Sequence, residues 1–546
     1  MSSSFSRILI GLATLAALMV AAVVGLSFYL KEPRLEELPP SNLGATEIQQ
    51  LETVNQIFAD HWKSENLSPT PEADTLTLVR RLSLALTGAA PSLEEIRRLK
   101  SLTEDADPIQ SWLTHLFSDQ RYSNYIAERL ARTYVGVEQG PFLVYRRRRM
   151  VNWLAEELVR NRPYDELVRD MVAAEGIWTS NPEANFITVS VIQNGENKGP
   201  DEVKLAARTS RAFLGVSLDC MQCHDDKFGD HWKQQDFHQL AAFFAQSDMA
   251  VSGVIENRKK VYQTRYNGET EESKVPALVP YSPELLPESG NYRQRLAQWI
   301  THRENRAFSR AMVNRTWALI TGRPLSSPVD DIPLEGPFPV GMEEFVDAFI
   351  ESDFDLQSLI RIMAASEPFR RSSSTGDPEA PVTLEQEEAW AAFPITPLRP
   401  EQVAGSVIQA GTLTALDGNT HIFQKIRRFG ETRDFVKRYG DPGENEFIED
   451  AGTIPQRLLL MNGKLVDERT EPNPLMNSST RLAHHSPSDE AAVDVAFLAT
   501  LTRHPNEEES RHFVSLIDGT KSKHREKMME DVYWALINST EFSWNR

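Results

Sequence analysis

The chain has 546 residues, 25% of them charged and 40% hydrophobic, with 58 basic side chains against 78 acidic ones for a net charge of −20. That balance argues against nucleic acid and against general adhesion to anionic lipid, and it suits docking of a basic partner protein. Some 500 residues exceed what one hydrophobic core holds, so two or three domains are expected.

Residues 8–30 (ILIGLATLAALMVAAVVGLSFYL) are 23 consecutive residues without a charge, preceded by Arg7. At 1.5 Å per residue they match a hydrocarbon core of about 30 Å. No convincing small-residue cleavage site follows, so residues 1–30 read as an uncleaved signal anchor. This predicts a single-pass protein of the cytoplasmic membrane with its main body exported, in contact with the membrane through the N-terminal helix. Residues 31–73, opening with Pro33, Pro39 and Pro40, read as a tether and leading helix.

A helical region follows. Leu78, Leu82, Leu84 and Leu86 crowd an apolar helix ending at Gly88, and Pro91-Ser92-Leu93-Glu94-Glu95 is a helix start with acids in its first turn. Further helices are predicted at about Ser118–Tyr134 and Arg149–Arg160. Asp201 to Gly215 reads as another, with Val203, Ala206, Ala207, Phe213 and Leu214 on its apolar side. Phe237, Leu240, Ala241 and Phe244, at i, i+3, i+4 and i+7, mark the next. Strand-like alternation is brief, at Phe186–Val191 and at Lys259–Tyr266, the latter before the turn dipeptide Asn267-Gly268. Residues 250–288 are rich in Pro, Glu, Ser and Gly and read as a linker or insert at a domain boundary. Helical patterns resume at Tyr292 and run to the C-terminus, including an amphipathic one at Met528–Phe542. The fold class is mainly α: two helical domains after a transmembrane anchor, with a short β-containing linker region.

The chain's only two cysteines lie in Cys220-Met221-Gln222-Cys223-His224. Two thiols at this spacing add across the two vinyl groups of haem, and the adjacent imidazole ligates the iron. The pattern therefore points to one covalent haem c, with Cys220 and Cys223 as attachment points and His224 as proximal ligand. Zinc is the alternative, with His224, His231 or His238 completing the set, and a redox disulfide is another. For the sixth iron position the nearby candidates are His231, then His238 and Met249, with Phe228 and Trp232 limiting water.

Other constellations carry less. Arg146–Arg149 is a run of four arginines at a helix start, suited to a solvated face or to an anion such as a haem propionate. Asp330-Asp331 sits in a Pro-flanked loop and could pair with Arg315 or Arg323 or do acid chemistry; without a second positioned carboxylate it reads as structural. His484-His485 lies in a polar, Ser-rich stretch. No nucleophile elbow, H-E-x-x-H helix or phosphate-cradling glycine loop is present, so no hydrolase or nucleotide enzyme announces itself.

Several stretches carry a resemblance. Through LVRRLSLALTG, RPYDELVRDMVA and RAFLGVSLDCMQCHDDKFGDHWKQQDFHQLAAFF, residues 74–249 resemble the planctomycete-type cytochrome-like domain. Residues 289–546 resemble the planctomycete-specific domain that usually follows it, through RQRLAQWITHRENRAFSRAMVNRTWALITGRPL, PVDDI, SDFDLQSLIRIM, IPQRLLLMNGKLV and WALINSTEF. The resemblance implies a haem-like motif without fixing an activity. Members commonly end the motif Cys-His-Asp-His, and Asp226 stands here in place of that second histidine. The expectation is an electron carrier for a redox partner, a basic one being suited to the acidic chain. Its competitors are a scaffold with a disulfide or metal clip and an exported enzyme of polysaccharide breakdown.

Overall fold

Helix boundaries follow local chemistry that is legible residue by residue. Asp74 accepts the Thr77 amide at the head of helix Thr75–Thr87, which ends at Gly88 in the left-handed conformation. Ser92 and Glu95 form a reciprocal capping box on helix Leu93–Arg98. Asp107 caps Pro108–Ser118, where proline at the first position loses no intrahelical bond, and Asp119 caps Gln120–Val135. The computed structural model describes residues 19, 37–137, 144–192, 199–226, 232–416, 422–441, 443, 447, 453–473 and 477–546.

The described residues are mainly helical, as expected, and their strands are short antiparallel pairs. These are Ser247–Ala250 with Gly253–Glu256, Gln263–Thr264 with Ser273–Lys274, and Thr396–Pro397 with Trp544–Asn545. The turn between the second pair holds Gly268 at φ +86°, as the Asn-Gly dipeptide predicts. The strand expected at Phe186–Val191 is instead a helical turn, Asn185–Thr188. All four of its residues are buried, and a segment buried on every side shows no periodicity to separate strand from helix.

The anchored architecture and the single-pass membrane localisation are corrected. Among the described residues no helix is long and apolar enough to cross a membrane. The longest, Ala45–Ser64, carries Glu47, Glu52, Asp60 and Lys63 and buries only one stripe, Val54, Phe58 and Trp62. The segment that prompted the expectation, residues 8–30, lies outside the described residues except for Met19.

Residues 38–546 form one compact unit with two principal cores. The first runs from Leu38 to Phe393, so residues 250–288 are not a bare linker: Val254, Tyr262, Val275 and Val279 are buried in it. Helix Arg306–Thr321 is buried along nearly its whole length, with Trp317 against Phe345 and Trp390. The second core takes its residues from Leu398 to Phe542, together with Leu84.

Candidate functional site

The chain approaches the cysteines through helix Glu202–Thr209, capped by Asp201, and a wider π turn over Ser210–Leu214. Phe213 and Leu214 go into the first core. Gly215 then takes φ +63°, open to glycine, and a Cβ there would stand 3.1 Å from Ile332 Cδ1 and 3.2 Å from the Ala311 Cβ. The Pro328–Ile332 loop braces this bend. Ile332 N donates to Gly215 O at 2.7 Å, and Ser217 N reaches Asp331 Oδ1 at 3.5 Å.

Asp219–Gln222 is a single 3₁₀ turn, closed by Cys223 N donating to Cys220 O at 3.3 Å. Residues three apart eclipse in such a turn, so the two cysteines share one side of it. Both are exposed and not bonded to each other, while Met221 between them is buried in the core. His224 is half-buried, and its Nδ1 lies 2.7 Å from Asp225 O. A carbonyl only accepts, so Nδ1 carries the hydrogen and Nε2 holds the lone pair. Nε2 has no partner among the described residues.

Beneath the turn, helix Gln234–Ala241 holds it by its backbone. Gln234 N donates to Asp225 Oδ1 at 2.7 Å and Gln234 Nε2 to Gln222 O at 3.0 Å. His238 Nε2 donates to the same carbonyl at 3.2 Å, and the Tyr262 hydroxyl donates to His238 Nδ1 at 2.9 Å. The imidazole is 3% exposed and stacks on Tyr262 with Tyr266 at its edge. Burial pushes its pKa down, the Gln222 carbonyl opposing, and burial pushes the Tyr262 phenol up. Asp226 N donates to Trp232 O at 2.9 Å, which brings residues 226 and 232 together.

These contacts reassign several sequence candidates. With both ring nitrogens engaged, His238 is part of the support of the turn rather than an axial candidate. His231 and Phe228 lie outside the described residues. Met249 sits on strand Ser247–Ala250 and Trp232 beside the turn, each partly buried against the first core. Asp330-Asp331 pairs with neither arginine proposed for it: Arg315 Nη1 donates to Thr133 Oγ1 and Arg323 to Glu387 O. Burial, with the Asp330 and Asp226 carboxylates, pushes the Asp331 carboxyl up against the opposing Ser217 amide. Three members of the arginine run have structural duties. Arg147 binds Glu128 and Gly136 O, Arg149 binds Thr179 O, and Arg146 lies over Trp178. His484-His485 ends helix Ser478–His485, where His484 meets Glu526 at 2.6 Å.

The donor set fits a c-type haem. Two free, exposed thiols stand on one side of a turn, and the adjacent imidazole is in the tautomer that leaves Nε2 open. Among the described residues no three His, Cys, Asp or Glu side chains are gathered for a metal ion, and His231, a candidate for a zinc set, lies outside them. The sequence reading missed Gln234, Tyr262 and the Ser217–Asp331 contact. The available signal was the i, i+4 spacing of Gln234 and His238, which puts both on one helix face.

Residues 53–249 match the family model PSCyt2, described as a protein of unknown function (DUF1549), and residues 292–446 match PSD1, a protein of unknown function (DUF1553). The chain is a PSCyt2–PSD1 protein. The order is the one expected from the motifs, with the Cys220–His224 turn inside PSCyt2 and the bracing Pro328–Ile332 loop inside PSD1. No curated protein and no solved structure matches the chain. The PSCyt2 turn is thus braced by a PSD1 segment.

Proposed function

We propose that this PSCyt2–PSD1 protein carries one covalent haem c and passes single electrons to and from a redox partner protein with a basic surface. Cys220 and Cys223 would hold the group by adding one thiol each across its two vinyl groups, the S–H hydrogen going to the vinyl carbon so that nothing leaves. His224 Nε2 would hold the iron. When bound, haem would supply a one-electron ferric/ferrous couple. The observation that carries the reading is the His224 tautomer: Nδ1 bound to the Asp225 carbonyl and Nε2 open, beside two unbonded thiols. The net charge of −20 supports the choice of a basic partner.

Expression with a haem-attachment system should give about one haem per chain, retained through denaturing electrophoresis, as the motif requires. A colourless protein would overturn the reading. The eclipsed, exposed thiols also suit a second one, a Cys220–Cys223 disulfide clip. It would appear as a colourless product lighter by two hydrogens, restored by a reductant.

A further inference from the structure

We propose that His238, oriented by Tyr262, is the positioning residue of the Cys220–His224 turn: its Nε2–H fixes the Gln222 carbonyl and thereby holds both thiols on one side. The purpose assigned to this clamp rests on the haem-attachment reading. Gln222 is the residue immediately before Cys223, so the direction of its carbonyl sets the peptide plane from which Cys223 departs. That carbonyl receives two donors from helix Gln234–Ala241, the Gln234 amide at 3.0 Å and the His238 ring at 3.2 Å. The helix is itself fixed under the turn by Asp225 Oδ1 on the Gln234 amide, and Gln234 Oε1 accepts Asn267 N at 3.0 Å from beyond the 263–264 strand.

The Gln222 carbonyl only accepts, so the proton of a neutral ring stands on Nε2, the atom that faces it. The Tyr262 hydroxyl completes the arrangement by donating to the bare Nδ1. Remove the hydroxyl, and Nδ1 loses its donor, so the ring is held from one side only and its Nε2–H is less well aimed at the Gln222 carbonyl. His238 and Tyr262 therefore act as one device.

The test uses the full chain without haem, equilibrated with reduced and oxidised glutathione, quenched by alkylation and weighed by mass spectrometry. In this exchange Cys220 and Cys223 lose two electrons and two protons to form one S–S bond, and one glutathione disulfide becomes two glutathiones. A turn that holds both thiols on one side raises their effective concentration toward each other. His238→Phe and Tyr262→Phe should each lower the equilibrium constant for closing the bond about threefold to tenfold, the scale of one buried hydrogen bond. His238→Gln, which keeps an amide donor toward the carbonyl, should return it to within about twofold of wild type. Far-UV circular dichroism should be the same in all. Should His238→Phe fail to fold, the Tyr262→Phe and wild-type pair decides.

Equal constants in Tyr262→Phe and wild type would overturn the proposal. The outcome is separable from the fate of the haem reading. A wild-type chain that takes up no haem removes that reading and leaves the glutathione result standing. Normal haem uptake with unmoved constants removes only the clamp.

Discussion

At His224 two ring nitrogens face different tasks, and a single backbone carbonyl separates them. Because Nδ1 is spent on Asp225 O, the ring offers Nε2 without the cost of choosing a tautomer at the moment of ligation. His224→Ala removes the proposed iron ligand and leaves both thiols in place. Its haem content should fall, or the retained haem should turn high-spin, in the visible spectrum; an unchanged spectrum would refute the assigned role. The pentapeptide was legible because the chain contains no other cysteine. His238 was not, because a histidine on the flank of a helix stripe reads the same whether it is solvated or buried against a carbonyl. What distinguishes the two is Tyr262, 24 residues away and brought in only by the hairpin.

At the scale of elements, the helix starts were the most legible part, since a cap is written in four consecutive residues. The Ser92–Glu95 box is an instance, but its sequence does not show that Glu95 also binds Arg121 and His115 in a buried cluster. Burial acts to raise the Glu95 carboxyl, yet Arg121 and His115 outweigh it and hold the pKa well below the usual range. A carboxyl depressed in the folded state contributes stability that is present above its unfolded value, about 4.3, and fades as pH falls toward the folded one. Glu95→Gln should therefore cost about 3 kcal/mol at pH 7, the scale of breaking a buried pair. Denaturant titrations from pH 7 to pH 3 should show the gap between mutant and wild type narrowing below about pH 4. A gap that stays constant would exclude the linkage.

The bend at Gly215 is the second element-level dependence. Gly215→Ala would place a methyl group against Ile332 and Ala311 in a left-handed conformation, costing about 1–2 kcal/mol. It should also disturb the Pro328–Ile332 brace and lower haem uptake more than a control substitution of equal stability cost. Uptake that follows stability alone would show that the brace has no bearing on the turn.

On the scale of the whole unit, sequence composition predicted helices but not how they partition between cores. The stretch 250–288 is poor in apolar runs, which is why it reads as a linker, yet single residues such as Val254 and Tyr262 are enough to stitch it into the first core. What joins the two cores is equally invisible in the sequence, because it is done by charges inside helices that read as amphipathic. Arg80 donates to Thr500 O and Phe542 O, Arg81 to Arg546 O, Phe369 O and Arg371 O, and Arg129 meets Glu401 at 2.6 Å. Glu401 lies in the first turn of helix Pro400–Ala410, with Arg132 at 3.3 Å as well, so one carboxylate ties the second core to helix Gln120–Val135 of the first. Burial acts to raise its pKa, but the two arginines outweigh that and hold it down, ionised at neutral pH. Replacing it by leucine removes the carboxylate that Arg129 and Arg132 share, while Arg132 keeps Glu128 and Asp441, at about 3 kcal/mol. Much of that loss falls on the junction rather than on either core, so the two should cease to unfold together. Calorimetry of wild type should show one transition, and Glu401→Leu should show two, with amides of residues 398–542 exchanging ahead of those in 38–393. A single transition merely shifted to lower temperature would mean that apolar packing, including Leu84 in the second core, suffices to couple them without this carboxylate.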